Sequence, residues 1–367
     1  MSDLKAHLVK LIKFNGPIPI STFMTEALTN PKFGYYLNKT PFGNDGDFIT
    51  SPEISQLFGE LIGLWFADIW LKMDCPQKVH LIELGPGNGT LLSDLTRALS
   101  ILPSFKNNIE LHLVEASPKL IKIQKYALSN FTGKITWHET VSEALDASKG
   151  IDASTFVLAN EFFDALPIRQ FQKCDHGWHE RMVNLDPKGG DEFIYMLSPF
   201  PIQNFKIPKH LEEAAIHSII EVSPMADSLT IIISEHLKKN SGAALFIDYG
   251  YNEYLTGDTL QAVKKHKYVD LLRHPGFADL SSHVNFRKIS DIAKNIGLQV
   301  HEATSQQKFL TDLGINERVN KLRKKATPEQ IENLLSGVNR LISPKEMGTL
   351  FKVLGVTSDP SVEVIGF

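Results

Sequence analysis

The sequence predicts an α/β protein built on a mostly parallel, doubly wound sheet. Three observations carry that prediction. From Val79 onward, apolar strand-like runs alternate with amphipathic helical stretches. The first run, Val79 to Leu84, opens into the glycine turn Gly85-Pro86-Gly87-Asn88-Gly89, and a helical pattern follows it. The second run ends in Glu115, an acid at the strand end where such sheets bind nucleotide-like ligands.

Taken in order, Met1 to Phe14 reads as an amphipathic helix. It carries Lys5, Lys10 and Lys13 but also Asp3, and no small-residue cleavage pattern follows, so it is not read as a signal or transit peptide. Residues 1–75 are expected to form a helical region with one long loop, rich in turn formers and aromatics, from Asn30 to Phe48. Thr50 or Ser51 is expected to cap a helix, with Pro52 in its first turn and Glu53 complementing its dipole. Ile54, Leu57, Phe58, Leu61 and Trp65 then mark one buried side. The methyl-rich runs Val79–Leu84, Glu110–Glu115, Lys134–His138, Thr155–Asn160 and Ala243–Asp248 are the main strands. Helices Leu91–Leu99 and Pro118–Tyr126 lie between the early ones, and Leu298–Ala303 and Phe351–Val356 complete the sheet. Between about 168 and 204 the rhythm breaks into Gln170–Cys174, Trp178–Asn184 and Phe193–Leu197, separated by glycine turns, which predicts an inserted β-meander. Residues 309–348 are charged and helical, a peripheral cap. The body of the fold is thus expected to run from 76 to 367.

Composition narrows the function. The formal net charge of −4 gives no general attraction to nucleic acid or anionic membranes. Cys75 and Cys174 support neither a disulfide framework nor a cysteine-based metal site. No His/Cys/acid spacing suggests a metal, and no uncharged run reaches membrane-spanning length.

The glycine spacing is G-x-G-x-G, not the G-x-G-x-x-G of dinucleotide sites, which favours a ligand without a pyrophosphate. S-adenosylmethionine (SAM) fits, because Glu83 just before the turn attracts its ammonium group. Gly85, Gly87 and Gly89 let the backbone turn and approach the ligand. Glu115 is placed to hold ribose hydroxyls, a contact that does not itself separate SAM from NAD; a helix-capping acid is the other reading. The fourth main strand ends in Asn160-Glu161-Phe162-Phe163-Asp164. Glu161 and Asp164 form a carboxylate pair suited to orienting a guanidinium and receiving its proton, although Asp164 equally suits the cap of a following helix. Asp279 and His283 stand one turn apart if that segment is helical. They read either as a catalytic pair or as a helix-start acid and a partly buried histidine, with no nucleophile motif nearby for a hydrolase triad.

Several segments together resemble the MidA-like (DUF185) family of SAM-dependent methyltransferases. They are Gly34-Tyr35-Tyr36, Gly46-Asp47-Phe48-Ile49-Thr50-Ser51-Pro52-Glu53, Glu83 to Leu91, Val114 to Pro118, Asn160 to Pro167, Asp248-Tyr249-Gly250, Gly257 to Leu260 and Asp279 to Phe286. Ser281-Ser282 and Asn285 depart from the family's usual Thr-Ala and Asp. The resemblance implies a class I (Rossmann-like) methyltransferase fold with a seven-stranded sheet and a SAM cofactor. It also implies a protein arginine acceptor, since eukaryotic members assist assembly of respiratory complex I by methylating an arginine of a core subunit. Glu83, Gly85, Gly87, Gly89, Glu115 and Asn160 are expected at the cofactor, and Glu161, Asp164 and His283 at the chemistry. Gly46, Asp47, Phe48, Thr50, Ser51 and Glu53 are expected as a lid over the substrate cleft. A bacterial, cytoplasmic member is the expectation. A small-molecule methyltransferase and a SAM-binding assembly chaperone are the competing readings, and an NAD-linked oxidoreductase is disfavoured by the glycine spacing.

Overall fold

Seven strands lie side by side in the main sheet of a computed structural model. They are β1 (Lys78–Leu84), β2 (Ile109–Val114), β3 (Ile135–His138), β4 (Ala153–Asn160), β5 (Gly242–Tyr251), β6 (Gln299–Ser305) and β7 (Phe351–Thr357), in the order β3-β2-β1-β4-β5-β7-β6. The first five pair in parallel; β7 runs antiparallel to both β5 and β6. A short strand, Val284–Asn285, adds in parallel to the end of β5. This is the mostly parallel sheet that the alternating pattern predicts, in the class I arrangement that the resemblance implies. Burial explains why the strands read so clearly. Every residue of β4 is buried, as expected of a central parallel strand covered on both faces. Register aligns the carboxyl ends of the first strands, Leu84 lying against both Val114 and Ala159.

The structure describes residues 3–38, 50–150, 153–203 and 207–367. They form two compact units, one comprising Ile49–Phe163, Ser228–Asn252 and Val284–Phe367, the other Met1–Phe48, Asp164–Asp227 and Glu253–His283. The first contains the main sheet. Helix Gln56–Lys72 packs here, its Phe66 ring stacked on Phe156 of β4 at 5.3 Å. The expected boundary near 75 therefore lies earlier, because this helix buries its apolar side in the main-sheet core. Its Gly59 and Gly63 admit helix Thr90–Ala98 so closely that a Cβ on Gly59 would stand 2.7 Å from Asp94 Cβ. Helices Gln306–Asp312, Ile315–Arg323 and Pro328–Ile342 occupy the expected cap region, where Phe309 and Leu341 are buried.

In the second unit, strands Ile18–Pro19, Gly177–Leu185, Arg169–Cys174 and Ile219–Val222 form an antiparallel sheet. Phe193–Leu197 pairs with Gly177–Leu185. The meander is thus extended by one strand from each side of it in sequence. Helices Asp3–Asn15 and Ile20–Thr29 contribute Leu8, Ile20, Phe23 and Met24 to a core shared with Val183. A three-stranded sheet joins Lys267–Val269, Gln261–Lys264 and Asp279–Ser281. Asp279 consequently lies in a strand, and His283 lies between that strand and Val284–Asn285. The helical expectation fails because Asp279-Leu280-Ser281 pairs with Val263-Ala262-Gln261. Among the described residues, no helix is long and apolar enough to cross a membrane.

Candidate functional site

The carboxyl ends of β1, β2 and β4 carry all six residues expected at the cofactor, and Glu161. After β1 the chain passes through Gly85, Gly87 and Gly89, whose φ values of 63°, 51° and 81° all lie in the left-handed region. At Gly85 space is equally restrictive, since an added Cβ would stand 2.8 Å from the Phe162 ring. Gly89 is the N-cap of helix Thr90–Ala98, so the turn places that helix's N-terminus at the same end of the sheet.

Glu83, at 2 % exposure, has its Oε2 buried without a partner among the described residues, and burial pushes its carboxyl up to about 8. An acid held this way costs little while protonated and gains a counter-charge only from a cation brought to it. Asn160 Oδ1 at the end of β4 and Ser51 Oγ are also buried without hydrogen-bond partners among the described residues. These orphaned polar atoms, next to a turn with positive φ, fit a polar ligand carrying a positive charge.

Glu115 stands past the end of β2, its backbone N–H donating to the His138 carbonyl at 2.9 Å. Its Oε1 accepts from the Ser117 N–H at 2.8 Å, and its Oε2 from Gln124 Nε2 at 3.0 Å. Burial raises its pKa, and these donors partly offset that. Ser117, not Glu115, caps the following helix, its side chain accepting from the Leu120 N–H.

Glu161 adopts φ 49°, unusual for a residue with a side chain and a strain that accumulates at functional sites. Its Oε1 accepts from the Ser51 N–H at 2.8 Å and from Asn160 Nδ2 at 3.3 Å. Glu53 Oε1 accepts from Thr90 Oγ1 at 2.7 Å and Asn88 Nδ2 at 3.2 Å, which ties the segment after Thr50 to the glycine turn. That segment is not one helix. Ser51–Ile54 is a single turn, Ser55 is extended, and Ser55 caps helix Gln56–Lys72 by accepting from the Leu57 N–H. Thr50 makes no side-chain cap. Gly46, Asp47 and Phe48 lie outside the described residues.

Asp164 and His283 belong to the other unit. No helix follows Asp164, so its capping reading is withdrawn: residues 164–166 turn toward the strand that begins at Arg169. Its carbonyl accepts from the Ser282 N–H at 2.9 Å. Asp279 accepts a 2.8 Å bond from the Tyr36 hydroxyl, whose pKa burial pushes well up, Asp279 and Asp164 adding to the rise. The His283 N–H donates to Thr259 Oγ1, which in turn donates to Glu221. Glu221 also accepts from Gln170 Nε2 and the Thr259 N–H.

Sequence reasoning missed Gln124, Glu221 and Tyr36 as residues that hold others in place. Gln124 had a legible signal. With Leu120 and Leu128 it forms an i, i+4, i+8 stripe that is buried throughout, and a polar residue on such a stripe needs partners.

Comparison with known proteins agrees with this geometry. Residues 61–304 match the family model described as "Putative S-adenosyl-L-methionine-dependent methyltransferase". The chain is 37% identical to the protein arginine methyltransferase NDUFAF7, mitochondrial, of Bos taurus, over 97% of this chain and 83% of that protein. It is 37% identical to the Homo sapiens protein of the same name, over 96% and 82%. A Burkholderia thailandensis superfamily member, described as a "likely methyl transferase" and solved with S-adenosyl-homocysteine bound, superposes with a TM-score of 0.84. It is 26% identical, over 99% of this chain and 93% of that one. The fold, the glycine turn and these matches together place the chain in the family of S-adenosyl-L-methionine-dependent methyltransferases.

Proposed function

We propose that this chain methylates arginine side chains of a protein substrate, with a respiratory-complex subunit as the substrate the family resemblance implies. SAM supplies the electrophilic methyl group when bound. In this reading, Glu83 meets the ligand's ammonium, the turn from Gly85 to Gly89 accommodates its backbone approach, and Glu115 holds the ribose. Asn160 and Ser51 offer further polar contacts. The reaction forms a bond from a guanidine nitrogen to the methyl carbon and breaks the carbon–sulfur bond. S-adenosylhomocysteine leaves, and one proton departs from the nitrogen. Alignment of nitrogen, carbon and sulfur supplies most of the acceleration.

The observation that carries the acceptor side is Glu161: a carboxylate at the end of a central strand, in a left-handed conformation, fixed by the Ser51 N–H. Such a group orients a guanidinium and receives its proton directly or through water. The names of the 37% identical relatives support the choice of arginine. The test is transfer from methyl-labelled SAM into cell extract, followed by identification of modified residues. Glu161→Gln is expected to lower turnover by a factor on the order of 100 while SAM still binds. A fully active Glu161→Gln enzyme removes that residue from the chemistry. Labelled small molecules with no labelled protein would favour a small-molecule acceptor, and no transfer with SAM bound would favour a chaperone.

A further inference from the structure

Gln124, in helix Pro118–Ala127, is wholly buried, and both ends of its amide are engaged. Nε2 donates to the Gly87 carbonyl at 2.8 Å and to Glu115 Oε2 at 3.0 Å; Oε1 accepts from Trp137 Nε1 at 2.9 Å. One side chain thereby ties the glycine turn, the end of β2 and the third strand of the sheet. The amide orientation is fixed by chemistry. Flipped, it would set its oxygen against a carbonyl and a carboxylate and its NH2 against the indole N–H. The backbone is close as well, a Cβ on Gly89 standing 3.3 Å from Gln124 Cα.

We propose that Gln124 is a positioning residue for SAM, acting through Glu115 and Gly87. It holds one Glu115 oxygen while Ser117 holds the other, which sets the plane of the carboxylate offered to the ribose. It also steadies the carbonyl at the middle of the turn. A donor facing Glu115 further favours the charged carboxylate against the burial that opposes it. Trp137 completes the device by fixing which end of the amide faces the cofactor side. The inference rests on reading Glu115 as a cofactor ligand, and the experiment separates the two.

The experiment measures SAM affinity by calorimetry for wild type, Gln124→Met, Gln124→Glu, Trp137→Phe, Glu115→Ala and the double variant Gln124→Met/Glu115→Ala. Gln124→Met is expected to weaken SAM about tenfold or more, because it removes two donor contacts at once. Trp137→Phe keeps those donors and should cost less. The double variant should lose less than the product of the single losses, the mark of residues acting in one network. Gln124→Glu sets two carboxylates face to face, so its affinity relative to wild type should recover as pH falls and one of them takes a proton. A purely structural glutamine gives no such recovery. Wild-type affinity in folded Gln124→Met overturns the proposal, as do multiplicative losses with a flat Gln124→Glu ratio across pH. Should Gln124→Met not fold, the Gln124→Glu ratio and Trp137→Phe decide the matter alone. Wild-type affinity in Glu115→Ala would overturn the reading of Glu115 itself, and with it this route of action.

Discussion

Binding of SAM is expected to expel a proton from Glu83, and the size of the effect follows from its surroundings. Its carboxyl stands at about 8 without a cation nearby, because burial is the dominant influence and Oε2 has no partner. At pH 7 such a group is about nine-tenths protonated. A ligand ammonium alongside favours the carboxylate, so roughly 0.9 proton should leave for each SAM bound at that pH. The affinity should then rise about ninefold from pH 6 to pH 7, a range below that in which the ligand's own amino group titrates. Calorimetry in two buffers of different ionisation enthalpy reads the proton count directly. Glu83→Gln should release none and flatten the profile. The contribution of Glu83 to the stability of the SAM-free protein should move the opposite way. Its folded pKa lies above the unfolded value of 4.5, so this group binds more proton in the folded state between 4.5 and about 8, and its contribution to stability is lost as pH rises through that window. Wild type and Glu83→Gln with equal proton release at pH 7 would refute the assignment of Glu83 to the ligand's positive charge.

Other expectations follow from contacts described above. Glu53→Ala removes the acceptor of the Thr90 and Asn88 side chains, and should weaken SAM by about 1–2 kcal/mol as the glycine turn loosens; calorimetry checks it. Tyr36→Phe withdraws the hydroxyl donor from Asp279, and should lower unfolding free energy by about 1–3 kcal/mol in denaturant titrations. Burial holds His112 and His236 down to about 4, so the unfolded chain takes up protons first as pH falls. The contribution of these two histidines to stability should therefore be lost between about pH 6.5 and pH 4, and the difference in unfolding free energy between wild type and His112→Gln should shrink as pH falls through that range.

The sheet was legible because its signal is local. Apolar runs such as Phe156-Val157-Leu158 are continuous where both faces of a strand are covered, and the glycine turn carries its own spacing. Phe351–Thr357 was legible for the same reason, lying buried along nearly its whole length. What failed to show depends on partners distant in sequence. Asp279–Ser281 is a three-residue strand defined by hydrogen bonds to Gln261–Val263, and its own residues carry no period. The Ser55 break was hidden because apolar Ile54 and Leu57 continue the helical spacing across it, whereas the backbone is extended at Ser55 while Glu53 engages Asn88 and Thr90. The carboxylates of Glu161 and Asp164 looked like neighbours in a short motif. In the fold the division between units falls after Phe163; Glu161 accepts from the Ser51 N–H, and the Asp164 carbonyl accepts from the Ser282 N–H. Sequence proximity at a strand end indicates where a site lies, not which groups share a scaffold.

The placing of β7 has a consequence for how the protein is made. Residues 351–357 fill the gap between β5 and β6, and among the described residues β6 pairs with no other strand. During synthesis the first four parallel strands can assemble as they leave the ribosome. β5 must wait with one side open, and β6 has nothing to pair with until β7 follows it out. A nascent chain halted before residue 351 therefore exposes the unpaired edge of β5, a template for association with other chains. A premature stop shortly before this strand should direct the product to degradation or aggregation, even though every candidate site residue has already been translated.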